Sequence, residues 1–532
     1  MTETDRPLPL LVVKPPQHRF VEQVLESLKQ SRNLGLYKRN GQIVRVVTED
    51  ADLPKGVERP PEAPAIRTVG KATLRLALTR CAEYHRVTRT LRDGTEITEP
   101  CHPPEWAVEG VQEAESWPLP PLEGIVEAPV LLRSGEVLQQ PGYDAYSGLV
   151  FIPPKGVVFR EVPTHPTAGD VKTALHWLHE AVFDFPFAQP IHRSAWMAGV
   201  LSYFARPAYG ETTPFFLVDG NVRGAGKGKL FKAASLICLG RKGLVMQQGS
   251  DDKTERELIT AALLAGEMMV LVDNIARPFG SASFDSAIGE GVWNPVLKYE
   301  NVSSRFPIRT IFWGNGNNVS FRKHSDTVRR TLKIRIESPH ENPEQRTDFK
   351  RPEPGYSRWL RANRAHLVWS ALTILRGFVA AGSPQQAAPW GTFESWSELV
   401  RSALIWAGEP DPYEAAATHD QSSDGAVEAL GEVLRGWQRL CASLKAEDIT
   451  TAEALSALQG EQEQRRMSAA YRSEHEPLIQ ALCELCETTR LPDGDRLGYT
   501  LRRYKRRPVG GLMLEAVMRR QKRTAWKVTE SP

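Results

Sequence analysis

The stretch PFFLVDGNVRGAGKGKL, residues 214–230, combines an apolar run, a glycine-rich turn and a segment with helical spacing. Consecutive backbone N–H groups at a helix start can surround phosphate oxygens, and phosphate loops follow the pattern G-x-x-x-x-G-K-[ST]. Here Asn221 stands where the first glycine is usual, and Gly228 replaces the Ser or Thr after Lys227. The stretch predicts an α/β nucleotide-binding core with an altered phosphate loop, and a glycine-rich surface turn is the alternative.

The loop also predicts which residues contact the nucleotide. Lys227 is expected to reach the β and γ phosphates. The change at Gly228 matters more than the change at Asn221, because the missing hydroxyl normally holds Mg²⁺. With ATP and Mg²⁺ as the cofactors, the predicted cofactor-binding residues are Asn221, Gly224, Ala225, Gly226, Lys227, Gly228 and Lys229.

A second apolar run, MMVLVDN at residues 268–274, ends in Asp273. A parallel strand with this ending brings a carboxylate to the edge of the sheet beside the phosphates. Asn274 follows where an acidic residue usually acts as base toward the attacking water. Asp251, Asp252 and Glu255 are alternative bases, although a solvated acidic helix start is the favoured interpretation of these three acids.

Two later segments complete the pattern. RTIFWGNGNN, residues 309–318, reads as a strand ending in amides that can hold a water or the γ-phosphate. DTVRRTLKIRIES, residues 326–338, places Arg329 and Arg330 before another strand. The phosphate loop and the three later segments each have a structural explanation when taken singly. Their occurrence together in this order indicates a single ATPase domain.

The order of the phosphate loop, VLVDN, GNGNNV and DTVRR resembles the AAA+ ATPase domain of phage and plasmid primase-helicases, the superfamily III-like replicative helicases of mobile elements. CHPPEW, EAPVLLRSGEVLQQPGYDAYSGL and FPFAQPIHRSAW resemble the regions that precede that domain. The resemblance therefore extends from about residue 95 onward.

The resemblance implies a role for each matching residue. Lys227 would bind phosphate, and Asp273 would coordinate Mg²⁺. Asn317 would be the sensor, with Asn315 as the alternative. Arg330 or Arg329 would be the finger that reaches the ATP of a neighbouring subunit. The implied catalytic residues are Asp273, Asn274, Asn317, Arg329 and Arg330, with Asn274 as an amide able to position water.

Two regions are expected to contact DNA. Between Asp273 and the sensor strand, NPVLKYENVSSRFPIR lies where related helicases have a channel hairpin, and Lys298 and Arg305 are its candidate contacts; a plain surface hairpin is equally compatible. From Leu497 to Pro532 there are ten Lys or Arg against two Glu, a net charge of +8 in a chain whose total is +3. Such asymmetry indicates an acidic partner.

The basic C-terminal segment resembles a winged helix, with a basic helix, a tight turn and a basic strand pair. Its predicted core consists of Leu497, Leu501, Leu512, Leu514 and Trp526. Its predicted DNA-binding residues are Arg502, Arg503, Lys505, Arg506 and Arg507 on the helix, and Arg519, Arg520, Lys522 and Arg523 on the wing. A basic tail without a specific ligand is the alternative.

Bulk composition is that of a globular protein. The 532 residues, 41% of them apolar, have the length of about three or four domains. Six cysteines are too few for a disulfide framework and fit a reducing compartment. No basic region followed by an apolar run opens the sequence, and Glu267 interrupts its longest apolar stretch. A cytoplasmic protein without a membrane span is expected.

The predicted fold is α/β: an AAA+ type P-loop core with an N-terminal α+β region, a helical region and a winged-helix domain. The predicted boundaries are 1–125 for the accessory α+β domain, 126–169 for a β-hairpin linker, 170–345 for the ATPase core, 346–470 for the helical domain and 471–532 for the winged helix.

The resemblance implies an ATP-driven DNA helicase or replication initiator of a phage, plasmid or integrated element. A finger arginine acts across a subunit interface, so a homo-oligomeric ring, most simply a hexamer, is expected, with single-stranded DNA in its channel and duplex at the C-terminal domain. No priming motif is visible, so priming would require a separate primase. The alternative is a DNA-binding protein whose ATPase domain uses nucleotide as a structural or switch ligand with little hydrolysis.

Overall fold

A computed structural model describes residues 7–31, 34–48, 57–58, 63–210, 212–221, 224–294, 306–322, 325–338, 343, 346–416, 425–467, 474–486, 488, 490–505, 509–518 and 524–530. The chain divides into two compact units, Met1–Thr418 and His419–Pro532. Within the described ranges, no helix is both long and apolar enough to cross a membrane.

The first unit begins with a mixed α+β region, as predicted. Its elements are β1 (Leu10–Val13), α1 (Gln17–Gln30), β2 (Leu36–Arg39), β3 (Gln42–Val47), β4 (Val57–Glu58), β5 (Ala65–Thr68), α2 (Lys71–Leu78), β6 (Glu83–Thr90), β7 (Glu96–Pro100) and α3 (Glu105–Gln112). The sheets have the orders β1–β6–β7 and β2–β3–β5. Helix α1 buries Phe20, Val24 and Leu28, whose spacing of four places them on one helical face.

Short strands follow, as the glycine-rich turns in the sequence indicate. They are β8 (Gly124–Val126), β9 (Val130–Leu131), β10 (Val137–Leu138), β11 (Gly142–Asp144) and β12 (Leu149–Phe151). β9 pairs with β10 and β11 pairs with β12, both antiparallel. Two helices then lead into the core: α4 (Ala168–Ala181), which starts with a capping box of Thr167 and Asp170, and α5 (Pro190–Ala205).

The core alternates strands and helices. Its elements are β13 (Phe215–Gly220), α6 (Lys227–Cys238), β14 (Leu244–Gln247), α7 (Asp252–Leu264), β15 (Met269–Ile275), α8 (Ala282–Gly289), β16 (Val292–Trp293), β17 (Phe306–Pro307), β18 (Ile311–Asn317), a 3₁₀ turn (Val328–Arg330) and β19 (Thr331–Ile336). The sheet order is β19–β13–β18–β15–β14–β4, and every pairing is parallel except that of β14 with β4. The carboxyl ends of β13, β18 and β15 are therefore neighbours.

The sheet is covered on its faces by apolar helices, so its strands are nearly continuous apolar runs. Helix α5 is almost entirely buried and approaches the sheet closely at Gly199, where an added Cβ would lie 2.3 Å from the Trp313 ring on β18. A glycine at this point lets the helix backbone contact the strand that carries Asn315 and Asn317.

Helices α9 (Gly355–Ala362), α10 (Arg364–Ala380), α11 (Glu394–Trp396) and α12 (Ser402–Trp406) close the first unit, with a π-helical turn at Ser397–Arg401 and a 3₁₀ turn at Pro412–Ala415. Their buried residues share one apolar cluster with α4, α5 and α6. This helical region is thus part of the same core as the parallel sheet.

The second unit contains α13 (Gly425–Ser443), β20 (Ile449–Thr450), α14 (Thr451–Met467), α15 (Glu476–Leu485), α16 (Gly494–Arg503), β21 (Leu512–Met518) and β22 (Thr524–Glu530), with the sheet order β20–β22–β21. The predicted core residues Leu497, Leu501, Leu514 and Trp526 are buried, and Leu512 is partly buried.

The second unit starts well before residue 471, where the sequence placed the winged helix. Trp437 on α13 is fully buried, and its Nε1 donates to the Trp526 carbonyl on β22 at 3.1 Å. Because α13 and α14 pack into the core of the C-terminal strands, the predicted division after residue 470 does not coincide with the division between the units.

Candidate functional site

The phosphate-loop stretch forms a turn that leads directly into a helix. Gly224 and Gly226 have φ values of +77° and +97°, in the left-handed region that glycine adopts without steric cost. Gly226 is the N-cap of α6, and Lys227 is the first residue of that helix. The turn therefore presents backbone groups and the positive end of the helix dipole at one place, a suitable environment for an anion.

Lys227 lies against the carboxyl end of the neighbouring strand. Its Nζ donates to Asn317 Oδ1, the last residue of β18, at 2.6 Å. Gly220, at the end of β13, leaves room for the lysine stem, since a Cβ at this position would be 3.1 Å from Lys227 Cδ. The structure thus brings together the predicted phosphate-binding lysine and the predicted sensor asparagine.

Asp273 and Asn274 lie at the end of β15, beside β18. The pairing of β15 with β18 shifts register between Val272 and Ile275, and Asn274 has a φ of +53°. Asparagine tolerates this left-handed conformation better than most residues. The Asn274 N–H donates to Asn315 Oδ1 at 2.8 Å, so the buried Asn315 stabilises the irregular strand end.

The contacts distinguish the two sensor candidates. Asn315 is buried and bonded to the backbone of Asn274, whereas Asn317 is exposed and bonded to Lys227. Of the two, Asn317 is the one at the surface beside Lys227.

Gly228 lies beside Asn315, with room for a small side chain. A Cβ built on Gly228 would lie 4.0 Å from Asn315 Nδ2, which is an ordinary van der Waals distance. The position that usually carries a hydroxyl is therefore not closed by the surrounding side chains.

The side chain of Asn221 is bonded to the backbone of Ser338. Its Nδ2 donates to the Ser338 carbonyl and its Oδ1 accepts from the Ser338 N–H, both at 3.1 Å. The side-chain amide thus ties the start of the loop to the chain just after β19. Sequence alone does not predict this, because Ser338 lies far away along the chain.

A buried charge cluster behind the loop was also missed by the sequence analysis. Asp219 on β13 is fully buried and forms ion pairs with Lys333 Nζ at 3.3 Å and Arg335 Nη1 at 2.7 Å. Its Oδ1 accepts from the Val319 N–H at 3.1 Å. A carboxylate within an apolar strand, and two cations spaced by two residues on another strand, are the sequence signals that indicate such a cluster.

This cluster affects the electrostatics of the lysine. Burial lowers the pKa of Lys227, the positive charge of Arg335 lowers it further, and the Asp219 carboxylate opposes both. A bound phosphate would add negative charge beside the ammonium and so raise the pKa of Lys227.

The two predicted finger arginines differ in exposure. Arg330 donates to the Asp285 carbonyl at 2.6 Å and its side chain is 12% exposed. Arg329 forms a two-point contact with Asp326, at 2.9 Å and 2.8 Å, and its side chain is 48% exposed. Arg329 is the one accessible to a neighbouring molecule.

The alternative bases are engaged in local structure. Asp251 caps α7 and accepts from the Thr254 N–H at 2.8 Å. Asp252 accepts from the N–H and hydroxyl of Ser283 at 2.9 Å and 3.0 Å. Glu255 is buried, which raises the pKa of its carboxyl group. Asp251 therefore has a helix-start role, whereas Asp252 joins α7 to α8 and the buried Glu255 does not fit a solvated helix start.

A cavity of about 400 Å³ opens beside the phosphate loop. Gly224, Ala225, Gly226 and Lys229 line one side, and Phe185, Phe349 and Tyr356 provide aromatic surface. Lys229 Nζ lies 5.5 Å from the Phe349 ring centre. The cavity combines flat apolar walls with direct access to the loop backbone.

Two of the predicted DNA-binding residues, Arg502 and Lys505, have side chains that the structure describes. Lys298, Arg305, Arg506, Arg507, Arg519, Arg520, Lys522, Arg523 and the side chain of Arg503 lie outside the described residues. Arg502 is exposed on α16, where its Nε donates to the Gly498 carbonyl at 3.0 Å. Lys505 is exposed just after the same helix. These two cations are on the surface of the second unit.

Comparisons with known proteins give distant similarities. No family model and no curated protein matches the chain. The apo C-terminal region of NrS-1 in its A form is 10% identical, with a TM-score of 0.36 over 85% of this chain and 98% of that one. A second structure of that region is 12% identical, with a TM-score of 0.34 over 86% and 99%. JCV helicase bound to a thiazolopyridine acetamide is 13% identical, with a TM-score of 0.21 over 39% and 61%. Similarity this weak leaves the geometry of the site as the basis for a functional assignment.

Proposed function

We propose that this chain is an ATP-driven DNA helicase or replication initiator of a phage, plasmid or integrated element, with an AAA+ type core that acts in a ring. The observation that carries the proposal is the hydrogen bond between Lys227, at the start of α6, and Asn317, at the end of β18, beside β15, the strand that carries Asp273. Phosphate-binding, sensing and metal-binding groups then share one sheet edge.

In this proposal Lys227 binds the β and γ phosphates, with the backbone of Gly224–Gly226 around them. A γ-phosphate would replace Asn317 as the hydrogen-bond partner of Lys227, so the amide of Asn317 would respond to the presence of that phosphate. β18, the strand that ends in Asn317, lies between β13 and β15. A change at Asn317 would therefore occur between the phosphate loop, which follows β13, and Asp273 on β15.

Asp273 would hold Mg²⁺ together with the nucleotide phosphates. The ion would neutralise charge that develops on the phosphates during transfer. The half-buried carboxylate at the end of β15 is a suitable hard oxygen ligand, and Mg²⁺ commonly keeps several waters, so one protein ligand is compatible with binding.

The cavity beside the loop suits the nucleoside. A purine has a flat apolar face, and Phe185, Phe349 and Tyr356 provide aromatic walls next to Gly226. Its volume of about 400 Å³ falls in the range of small-molecule sites. This arrangement supports ATP as the ligand.

Gly228 and Asn274 favour a second candidate function, in which the nucleotide is a structural or switch ligand with little hydrolysis. Both residues lie on the metal and water side of the site, where they replace a hydroxyl and an acidic residue. Loss of these groups weakens catalysis more than phosphate binding.

Steady-state ATP hydrolysis with and without single-stranded DNA separates the two functions. The helicase proposal predicts DNA-stimulated turnover, and unwinding of forked DNA in the same buffer. Nucleotide binding without turnover under either condition would favour the switch function. Failure to bind nucleotide at all would contradict both.

Substitution of Gly228 by serine is expected to increase hydrolysis several-fold and to lower the Mg²⁺ concentration needed for half-maximal activity. The serine hydroxyl supplies the usual metal ligand, and the open space near Asn315 accommodates its Cβ. Magnesium titrations of ATPase activity provide the measurement.

Gly228→Ala is the matched control, since it adds the Cβ and the helix propensity of a side chain without the hydroxyl. An equal gain in the alanine and serine variants would show that the metal-ligand explanation is wrong.

The second unit is proposed to be a winged helix that binds duplex DNA. In support, α16 is followed by the antiparallel pair β21–β22, and Arg502 is exposed on α16. The excess of basic residues after Leu497 supports an electrostatic role for the same region.

Deletion of His419–Pro532 is expected to weaken duplex binding strongly and to flatten its salt dependence. About four to six phosphate contacts give the intact chain a log–log salt slope of about −4 to −5. The cut falls between the compact units, whereas a cut at Leu497 would remove Trp526 from the core around Trp437. Fluorescence anisotropy over a salt series measures both slopes.

In the full chain, Arg502→Glu should reproduce part of the loss. Arg439→Glu, at an exposed position on α13 outside the predicted contacts, is its control. Equal salt slopes for the intact and truncated chains would exclude the second unit as the DNA-binding region.

A ring is proposed because an arginine finger requires a neighbouring subunit. Exposure of Arg329 supports this arrangement. Mass photometry with an ATP analogue and forked DNA should show a hexamer or related ring; monomers alone would contradict it. Priming would come from a separate primase.

A further inference from the structure

We propose that Asp285, on α8, is a positioning residue that sets the location of Arg329 and so completes the ATP site of the neighbouring subunit. The inference rests on the proposed function, and in particular on Arg329 acting across the interface. Asp285 would act through the chain segment 325–327, without touching nucleotide.

The carboxylate of Asp285 is the centre of a set of hydrogen bonds to that segment. Both of its oxygens accept from Ser325 Oγ, at 3.2 Å and 3.1 Å. Oδ1 accepts from Thr327 Oγ1 at 2.5 Å, and Oδ2 accepts from the Asp326 N–H at 3.1 Å. One half-buried side chain thus holds three consecutive residues.

The segment is braced internally as well. Ser325 Oγ lies 2.8 Å from Thr327 Oγ1 and accepts from the Thr327 N–H at 3.1 Å. Gly280, with a φ of +106°, allows the chain before α8 to approach, because an added Cβ would lie 2.2 Å from Ser325 Oγ. The packing leaves little freedom for the segment to take another position while Asp285 holds it.

Asp326 connects this network to the finger. Its backbone N–H is bonded to Asp285, and its carboxylate makes the two-point contact with Arg329. Arg330 also donates to the backbone carbonyl of Asp285. Arg330 Nη2 also donates to Asp326 Oδ2 at 3.2 Å. Loss of the Asp285 carboxylate therefore removes the backbone anchor of Asp326 and leaves its side-chain contacts with the two arginines.

Helix α8 is a firm support for these contacts. Ser281 caps its start by accepting from the Phe284 N–H at 3.1 Å, and Asp252 of α7 accepts from the Ser283 N–H and hydroxyl. Phe284 is fully buried among the rings of Phe215, Phe279 and Phe312. The carboxylate of Asp285 is thereby fixed relative to the sheet.

The first measurement is ATPase activity of single variants in the assembled protein. Asp285→Ala is expected to lower turnover by about 10²-fold, the size of effect that misplacement of a catalytic group by about 1 Å produces. Asp285→Asn, which keeps one acceptor oxygen, should lose less. Glu290→Ala removes an exposed carboxylate at the C-terminal end of the same helix and should leave turnover unchanged.

Mixing experiments then test whether the defect acts across the interface. A Lys227→Ala subunit lacks a working ATP site but has an intact finger, so it can supply Arg329 to a neighbour whose own finger is defective. Equal amounts of Asp285→Ala and Lys227→Ala should recover up to about a quarter of wild-type turnover, the share of productive interfaces in a randomly mixed ring. A purely structural defect within the variant subunit would not be rescued.

The Arg329→Ala and Lys227→Ala mixture is the reference. If it recovers turnover and the Asp285→Ala mixture does not, Asp285 serves its own subunit and the inference is wrong, while the proposed function stands. If neither mixture recovers turnover, Arg329 does not act across the interface, and the inference about Asp285 is then wrong as well. Mass photometry and binding of an ATP analogue establish that each variant assembles and binds nucleotide. Normal turnover of the Asp285→Asn variant would also overturn the inference.

Discussion

Replacement of Lys227 by alanine is expected to abolish ATP hydrolysis and to weaken nucleotide binding by about 10²-fold or more, equivalent to about 3 kcal/mol. The ammonium is the predicted contact to the β and γ phosphates, and charge-assisted hydrogen bonds to phosphate are among the strongest in proteins. Isothermal titration with a non-hydrolysable ATP analogue measures the affinity, and steady-state turnover measures the activity.

The folded state should tolerate this change. Lys227 Nζ donates to Asn317, whose exposed side chain can bond water when the ammonium is removed. Lys242→Ala is the matched control, because Lys242 is an exposed lysine just before β14, at the opposite end of the strands. Normal nucleotide affinity in Lys227→Ala would refute the phosphate-loop assignment under either proposed function.

Replacement of Arg329 by alanine is expected to lower turnover by about 10³-fold or more while nucleotide affinity changes by no more than a few-fold. A finger stabilises charge that develops in the transition state, so its loss affects kcat and leaves ground-state binding nearly intact. The exposed ion pair with Asp326 contributes at most about 1 kcal/mol, so it orients Arg329 without preventing contact of the guanidinium with a phosphate.

Arg329→Lys is the informative companion variant. It keeps the positive charge but loses the planar fork of the guanidinium, so it should recover a minority of the activity. Turnover of Arg329→Ala within three-fold of wild type would exclude Arg329 as the finger and leave Arg330 as the remaining candidate.

The sequence predicted the parts of the site that depend on local pattern. Apolar runs that end in polar residues mark buried strands, and the glycine-rich turn before a helical segment marks a phosphate loop. Parallel pairing then places those strand ends at one edge, which is where Lys227, Asp273 and Asn317 lie. Their proximity follows from pattern and topology together.

Contacts between distant segments could not be predicted in the same way. Asn221 is bonded to Ser338, and Asp219 is paired with Lys333 and Arg335 across neighbouring strands. The sequence contains both halves of each contact, but the register that joins them arises from the sheet order. A slip of one residue would turn these side chains to the other face.

The sequence by itself therefore determined the chemical groups of this protein: a phosphate loop without its hydroxyl, a strand ending in Asp273, a strand ending in amides, an arginine pair and a basic C-terminal segment. Tertiary structure alone decided which members of equivalent pairs are accessible. Arg330 is only 12% exposed because it packs against α8, whereas Arg329 is 48% exposed because α8 does not cover it. Exposure is set by what packs from elsewhere in the chain, and no local pattern encodes it.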